Sequence, residues 1–246
     1  MYRGYYISAN GMINQQRILN VITNNMSNSQ TAGYRTDNSI PTTFEDELLL
    51  IRGKQSEQGD ILYRTQDYTF TSLEQGTFEH TSSRLDMALR GPVYFNIQTD
   101  DGETYLTRNG QFTVDGEGYL ALGSTGRVLS DEGEIQIGTS DFTVSDKGVI
   151  TTEDGTTYNL LLSYVEEGTD VEKVGDNFFV PYDDAEAVGE DVNYEVMQYT
   201  YERSNVNVAD EMIKAMAASR AFQSGSQALK IIDGINQRTS NDLARI

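Results

Sequence analysis

Forty-three residues at the C-terminal end, Ser204 to Ile246, contain no proline and carry small and apolar residues at helical spacing. Met212, Ala215, Ala218, Phe222, Gly225, Leu229 and Ile232 form the stripe, with Ile235 beside them. The spacing predicts one long helix from Ser204 to Ile246. Asn207 suits its N-cap, with Asp210 placed to reach back to the cap and Glu211 in the positively polarised first turn. The stripe is rich in Ala, Ser and Gly, which let a partner helix come close but bury little area on their own. A lone helix with this face is marginal in water. It therefore needs a partner, either its own domain or another terminal helix within an assembly of subunits.

The other end of the chain supplies a candidate. No proline occurs from Gly4 to about Ser29, and Tyr5, Met12, Leu19 and Met26 recur every seven residues, with Ala9 and Ile22 completing a stripe. Gln15 and Gln16 interrupt the seam, so the helix is not a strong coiled coil by itself. Asn24, Asn25 and Asn28 weaken the last turn, and Thr31-Ala32-Gly33 stops it, with Gly33 free to take φ > 0. Those asparagines read equally as fraying before a turn or as a polar patch that fixes a contact.

The net charge of −20 is unevenly spread. Residues 1–40 hold three Lys/Arg and one acid (+2), residues 206–246 hold five and four (+1), and residues 41–205 hold ten against 33 (−23). Near-neutral ends with an acidic middle suit ends buried in an assembly and a middle facing solvent, with charge keeping the subunit soluble. A plain acidic soluble protein is the simpler alternative. Nucleic acid is a poor partner, because a phosphate backbone needs a cationic surface. The absence of cysteine excludes disulfides, a thiol nucleophile and thiolate metal sites. The first residues, Met1 to Ile7, lack the apolar core of a secretory signal. No run approaches the roughly 18 apolar residues of a membrane span, so direct membrane insertion is not expected.

Residues 35–72 read as a polar connector broken by Pro41, with a short apolar segment from Phe44 to Ile51, a loop from Gly53 to Gly59 and an extended strand from Ile61 to Phe70. From Leu73 to about Tyr201 the chain alternates short strands with glycine turns. Leu85–Leu89, Val93–Thr99, Thr104–Thr107, Phe112–Val114, Tyr119–Leu120, Ile135–Ile137, Phe142–Val144, Val149–Thr151 and Tyr158–Val165 are the expected strands. Asp100-Asp101-Gly102-Glu103 is a hairpin signal. The pattern Phe112-Thr-Val-x-x-x-Gly118-Tyr-Leu returns thirty residues later as Phe142-Thr-Val-x-x-x-Gly148-Val-Ile, a local duplication of one strand–turn–strand unit. The fold class that follows is α+β: long N- and C-terminal helices paired as a coiled-coil-like unit, with a central antiparallel β domain, a sandwich or partly closed barrel. The expected domains are 1–34 with 204–246 (helical assembly), 35–72 (connector) and 73–203 (β-rich, outer).

Catalytic chemistry has little to build on. His80 is the only histidine, so neither a histidine triad nor a multi-histidine metal site can form. Acid pairs (Asp100 with Asp101, Asp183 with Asp184, Glu166 with Glu167) sit in glycine-rich turns, where solvated carboxylates are the ordinary outcome rather than a glycosidase pair. Asp115-Gly116-Glu117-Gly118 lacks the alternating oxygen ligands of a calcium loop. Gly123-Ser124-Thr125-Gly126 has no lysine to cradle a phosphate. No catalytic residue, cofactor or metal is expected.

Taken in order, three blocks carry a family resemblance. The run Thr23 to Arg35 (Thr-Asn-Asn-Met-Ser-Asn-Ser-Gln-Thr-Ala-Gly-Tyr-Arg) resembles the N-terminal signature of the flagellar rod and hook axial proteins. Ser204-Asn205-Val206-Asn207, with Glu211-Met212 and Arg220-Ala221-Phe222, resembles the C-terminal one. Gln75-Gly76-Thr77, Leu85–Leu89 and Tyr105–Phe112 are similar to the central blocks. The chain departs from the family pattern at Met26 and Ser27, at Tyr199-Thr200-Tyr201-Glu202 where a glycine is lost, and at Gly91-Pro92-Val93-Tyr94-Phe95. The resemblance implies a non-enzymatic rod subunit of the bacterial flagellar basal body, with its terminal helices lining a helical tube and its β domain outside. It implies copies of itself and other rod or hook proteins as partners, passage through the flagellar export apparatus without a cleaved signal peptide, and transmission of torque from motor to hook. Asn24, Asn25, Asn28, Gly33, Tyr34, Ser204, Asn205, Val206, Glu211 and Arg220 are the expected assembly residues, and Met12, Leu19, Ile22, Met26, Met216, Phe222, Leu229 and Ile232 the expected packing residues. The rival readings are a hook-type subunit, a secreted β-domain adhesin oligomerised by helices, and a carbohydrate-active enzyme using paired acids.

Overall fold

A computed structural model describes residues 2–43, 65–99, 101–138, 141–165, 171–175, 177–181, 186–187 and 192–243. The segments Phe44–Ile51 and Gly53–Gly59, residues 61–64 of the expected strand Ile61–Phe70, and the acid pairs at 166–167 and 183–184 lie outside them. The chain divides into two compact units. The first comprises Met1–Ser27, Asp37–Phe70 and Asn207–Ile246, the second Asn28–Thr36 and Thr71–Val206.

The first unit is built on two helices, α1 (Tyr2–Ser27) and α2 (Val208–Leu243). They pair antiparallel: Gly4 lies beside Ile232, Met12 beside Gly225, the Tyr5 hydroxyl donates to Asp233 at 3.1 Å, and Asn25 reaches Glu211 at 3.4 Å. Small residues permit the approach, as the stripe requires. A Cβ on Gly225 would sit 2.8 Å from Met12 Cγ. Helix α2 begins at Val208 rather than Ser204, because the Asn207 side chain accepts from the Ala209 amide at 3.1 Å and caps the first turn there. Asp210 accepts from the Asn207 side-chain amide at 2.8 Å, so the reciprocal contact is side chain to side chain. Strands β1 (Asp37–Thr43) and β2 (Thr65–Thr71) pair with each other. Pro41 lies inside β1 and does not break it; among the described residues β1 pairs only with β2, and an edge strand is a place open to proline.

The second unit is an antiparallel β structure whose sheets are not closed into a barrel. Its centre is β5 (Val93–Thr99), flanked by β6 (Thr104–Thr107) on one side and on the other by β9 (Gly126–Ser130) and β14 (Leu162–Tyr164). Val93, Phe95 and Ile97 of β5 enter the main apolar cluster with Met87, Leu120, Val128 and Ile150, while Tyr94 joins a second one with Leu106, Val165 and Phe179. β5 is buried continuously from Val93 to Ile97, and its one buried polar side chain there, Asn96, donates to the Leu161 carbonyl at 2.9 Å and accepts from the Ser163 hydroxyl at 3.0 Å. The Phe95 and Phe112 rings meet edge to face at 5.0 Å.

Among the described residues one turn occurs four times. In Thr99–Glu103, Asp115–Tyr119, Ser145–Val149 and Thr152–Thr156 the first residue's amide bonds the fifth's carbonyl, and the fourth's amide bonds the first's carbonyl. The fourth residue is Gly102, Gly118, Gly148 or Gly155, with φ of +83°, +88°, +81° and +81°. This is the glycine-bearing bulged hairpin, and the sequence echo of residues 112 and 142 marks two of its copies. Two expected strands differ. Ile135–Ile137 forms only an isolated bridge, Tyr119 to Gln136. Tyr158–Val165 is split into β13 (Thr157–Asn159) and β14, because Leu160 turns aside to bridge Ser130.

Candidate functional site

In the first unit the helix pair gathers some of the expected residues. Ile22 and Ala218 are buried, and Met12, Leu19, Met26, Leu229 and Ile232 are half-buried. Asn25 is 1 % exposed. Its side-chain amide nitrogen donates to the Asp37 carbonyl at 2.8 Å and its oxygen accepts from the Asp37 amide at 3.1 Å, so it pairs with the backbone as a strand would. Glu211, also buried, accepts from Asn25 and from Lys214, the latter at 2.6 Å. Met216 is 54 % exposed, on the side of α2 that carries the exposed Met212, Ile213, Ile231 and Ile235, whereas Phe222, 36 % exposed, borders the Ala218, Gly225 and Leu229 stripe that meets α1. Asn24 and Arg220 are exposed. Met212, Ile213, Met216, Ile231 and Ile235 together make an exposed apolar side of α2 among the described residues.

The remaining expected residues belong to the second unit, where the short segment Asn28–Thr36 lies against residues 72–77, 107–110 and 202–205. Asn28 starts the turn by accepting from the Thr31 amide and hydroxyl. Gly33 has φ of +67°, and a Cβ there would meet the Arg108 carbonyl carbon at 2.4 Å. Its amide donates to the Glu202 carbonyl at 2.7 Å. Tyr34 is buried beneath Lys173, whose ammonium lies 3.7 Å from the ring centroid. Asn205 is the hub of the return strand: its side-chain oxygen accepts from the Thr36 amide at 2.8 Å and the Thr36 hydroxyl at 2.6 Å, and its amide nitrogen donates to the Glu74 carbonyl at 2.9 Å. Ser204 turns the chain by accepting from the Val206 amide at 3.2 Å.

Beneath these contacts lies a charge cluster that spacing alone did not reveal. Glu202, 1 % exposed, pairs with Arg35 at 2.9 Å and with Arg108 at 3.4 Å. Its second role is to accept from the Gly76 amide at 2.8 Å. Arg35 donates to the Glu74 carbonyl, and Arg108 to the carbonyls of Leu89 and Gly91 while stacking over Tyr94 at 4.5 Å. Two guanidinium groups thus share one carboxylate. Burial pushes the Arg35 guanidinium below its usual value, Glu202 pulls it up, and Arg108 lowers it again. All three residues lie in or beside the blocks read as motifs, yet nothing in their spacing joins positions 35, 108 and 202.

A second, half-buried cluster centres on Arg127, which bonds Asp115, Glu117 and Glu134 at 2.9, 2.7 and 2.8 Å. Those bonds, Glu117 first, hold its guanidinium above its usual value. The Asp115 carboxyl is held below the usual range, first by the Tyr119 amide and then by Glu117's amide and Arg127. The acidic turn of residues 115–118 is therefore an ion-paired hairpin. His80 is exposed in β3 (Phe78–His80), its Nδ1 3.4 Å from the Thr200 hydroxyl. Among the described residues no three His, Cys, Asp or Glu are placed to hold a metal ion. No described helix is long and apolar enough to cross a membrane.

Comparison with known proteins matches both ends and the middle in order. Residues 6–35 match the model "Flagella basal body rod protein", residues 88–152 the "Flagellar hook protein FlgE/F/G D1 domain", and residues 197–242 the "Flagellar basal body rod FlgEFG protein C-terminal". The chain is 27 % identical to the flagellar basal-body rod protein FlgG of Buchnera aphidicola subsp. Schizaphis graminum, over 98 % of this chain and 99 % of the relative. It is 29 % identical to the FlgG protein of Bacillus subtilis with the same two coverages. It is 28 % identical to the rod protein FlgF of Rhizobium meliloti, over 95 % of each.

Proposed function

The chain belongs to the flagellar basal-body rod and hook protein family, and from that premise we propose that it serves as a structural subunit of the rod, located in the flagellar basal body. The observation that carries this is the ordered match of three family models to the N-terminal helix, the β unit and the C-terminal helix. Near end-to-end likeness to rod proteins of similar length favours rod over hook. No observation favours the adhesin or the glycosidase reading.

The mechanism is mechanical. The apolar face of α2 left open in the single chain is covered by neighbouring subunits, copies of itself and other rod or hook proteins. A heterologous contact that does not close on itself extends into a helical tube, which carries torque from motor to hook. Passage through the flagellar export apparatus belongs to the same reading. The test is a charge placed on the open face. Met216→Glu should leave the melting temperature of the isolated chain unchanged, because Met216 is 54 % exposed there, and should abolish motility in cells. Normal motility with Glu at that position would remove the face from the assembly.

A further inference from the structure

The segment Asn28–Thr36 leaves the first unit after Ser27 and rejoins it at Asp37, so within the second unit it is a nine-residue strap. Its described attachments are mostly polar. Gly33 donates to the Glu202 carbonyl, Arg35 pairs with the Glu202 carboxylate, Thr36 donates to Asn205, and Asn177 donates to the Ala32 carbonyl at 2.9 Å. Tyr34 and Ala32 are buried, yet among the described residues neither apolar cluster draws on the strap. The β core and the strap are thus held by different forces.

We infer that the strap is a latch closed by the C-terminal return of the chain, with Glu202 and Asn205 acting as one coupled fastening. Three features support the coupling. Glu202 binds the strap through its backbone and its carboxylate at once, and the same carboxylate holds the Gly76 amide. Asn205 binds Thr36 on one side and the Glu74 carbonyl on the other, while Arg35 also donates to that carbonyl. The cluster holds two buried guanidinium groups against one carboxylate, so the fastening contains a cation without a matching anion in the cluster, and a buried charge of that kind is costly. Docking of the strap and docking of residues 202–205 then occur together, and they open before the apolar core does. A chain whose C-terminal segment has not returned leaves its N-terminal strap undocked, although its β core is formed.

Native-state hydrogen exchange on the full chain tests this, read at amides that the substituted side chain does not itself touch. In Glu202→Gln the distant reporter is the Thr36 amide, whose acceptor is Asn205; in Asn205→Ala it is the Gly33 and Gly76 amides, whose acceptors belong to Glu202. The Leu120, Ile137 and Leu161 amides report the core. Exchange at the distant reporters should rise at least tenfold in both variants, with the core amides unchanged. Equal acceleration at core and strap would show one cooperative unit with no latch. Acceleration confined to each side chain's own partners, or none, would show that the two fastenings are not coupled. Either result overturns the inference, and because Asn205→Ala keeps the charge cluster intact, it decides the matter even if Glu202→Gln fails to fold.

Discussion

Gly102 and Gly110 are both fixed in place, for different reasons. Gly102 has φ of +83° and open space where a Cβ would go, so alanine there meets only backbone strain. Gly110 lies against β4 (Met87–Arg90), and a Cβ would fall 1.6 Å from the Met87 carbonyl oxygen. Gly102→Ala should cost about 1 kcal/mol and Gly110→Ala about 3 kcal/mol, measured by urea unfolding of the full chain. Equal losses would contradict the packing described. Asp115 gives a pH signature. Its folded carboxyl is held below the unfolded value, so its contribution to stability is fully present above about 3.9 and is lost as pH falls through the lower, folded value. Asp115→Asn should therefore lower stability at neutral pH and flatten its acid dependence, as seen by thermal melts across pH. An unchanged acid limb would argue against the Tyr119 and Arg127 bonds.

The two helices owe their pairing to small residues more than to large ones. Gly225 faces Met12, and a Cβ there would fall 2.8 Å from Met12 Cγ, so alanine fits only if Met12 shifts, which offsets its helix-propensity gain of about 1 kcal/mol. A leucine has no such room. Gly225→Ala should be near neutral and Gly225→Leu should lower the melting of the helical signal; a harmless leucine would mean that the helices do not meet at this level. The elements were legible in the sequence to unequal degrees. Helix periodicity placed α1 and α2, and the Gly-centred turn placed the hairpins, because both are local patterns. The cap at Asn207 was legible from its residue type, and the helix starts at the next residue; the four residues before Val208, read with the helix, instead carry the return that meets the strap. Met216 has the same apolar character as the buried residues yet is exposed, and periodicity does not say which side of a broad apolar face a partner covers. The Arg35–Glu202–Arg108 cluster was illegible for a further reason: positions far apart in sequence meet only through the β topology.

Across the whole chain, charge and exposure agree with the family reading. The helical ends are near neutral and leave apolar side chains open, while the excess acid lies between residues 41 and 205. On the proposed reading, neighbouring subunits in the rod cover these faces. The direct test of that claim is electron microscopy of basal bodies from cells lacking this chain. The account predicts truncated rods without hooks, the length of the stub marking where the subunit is added. Complete rods carrying hooks would contradict it.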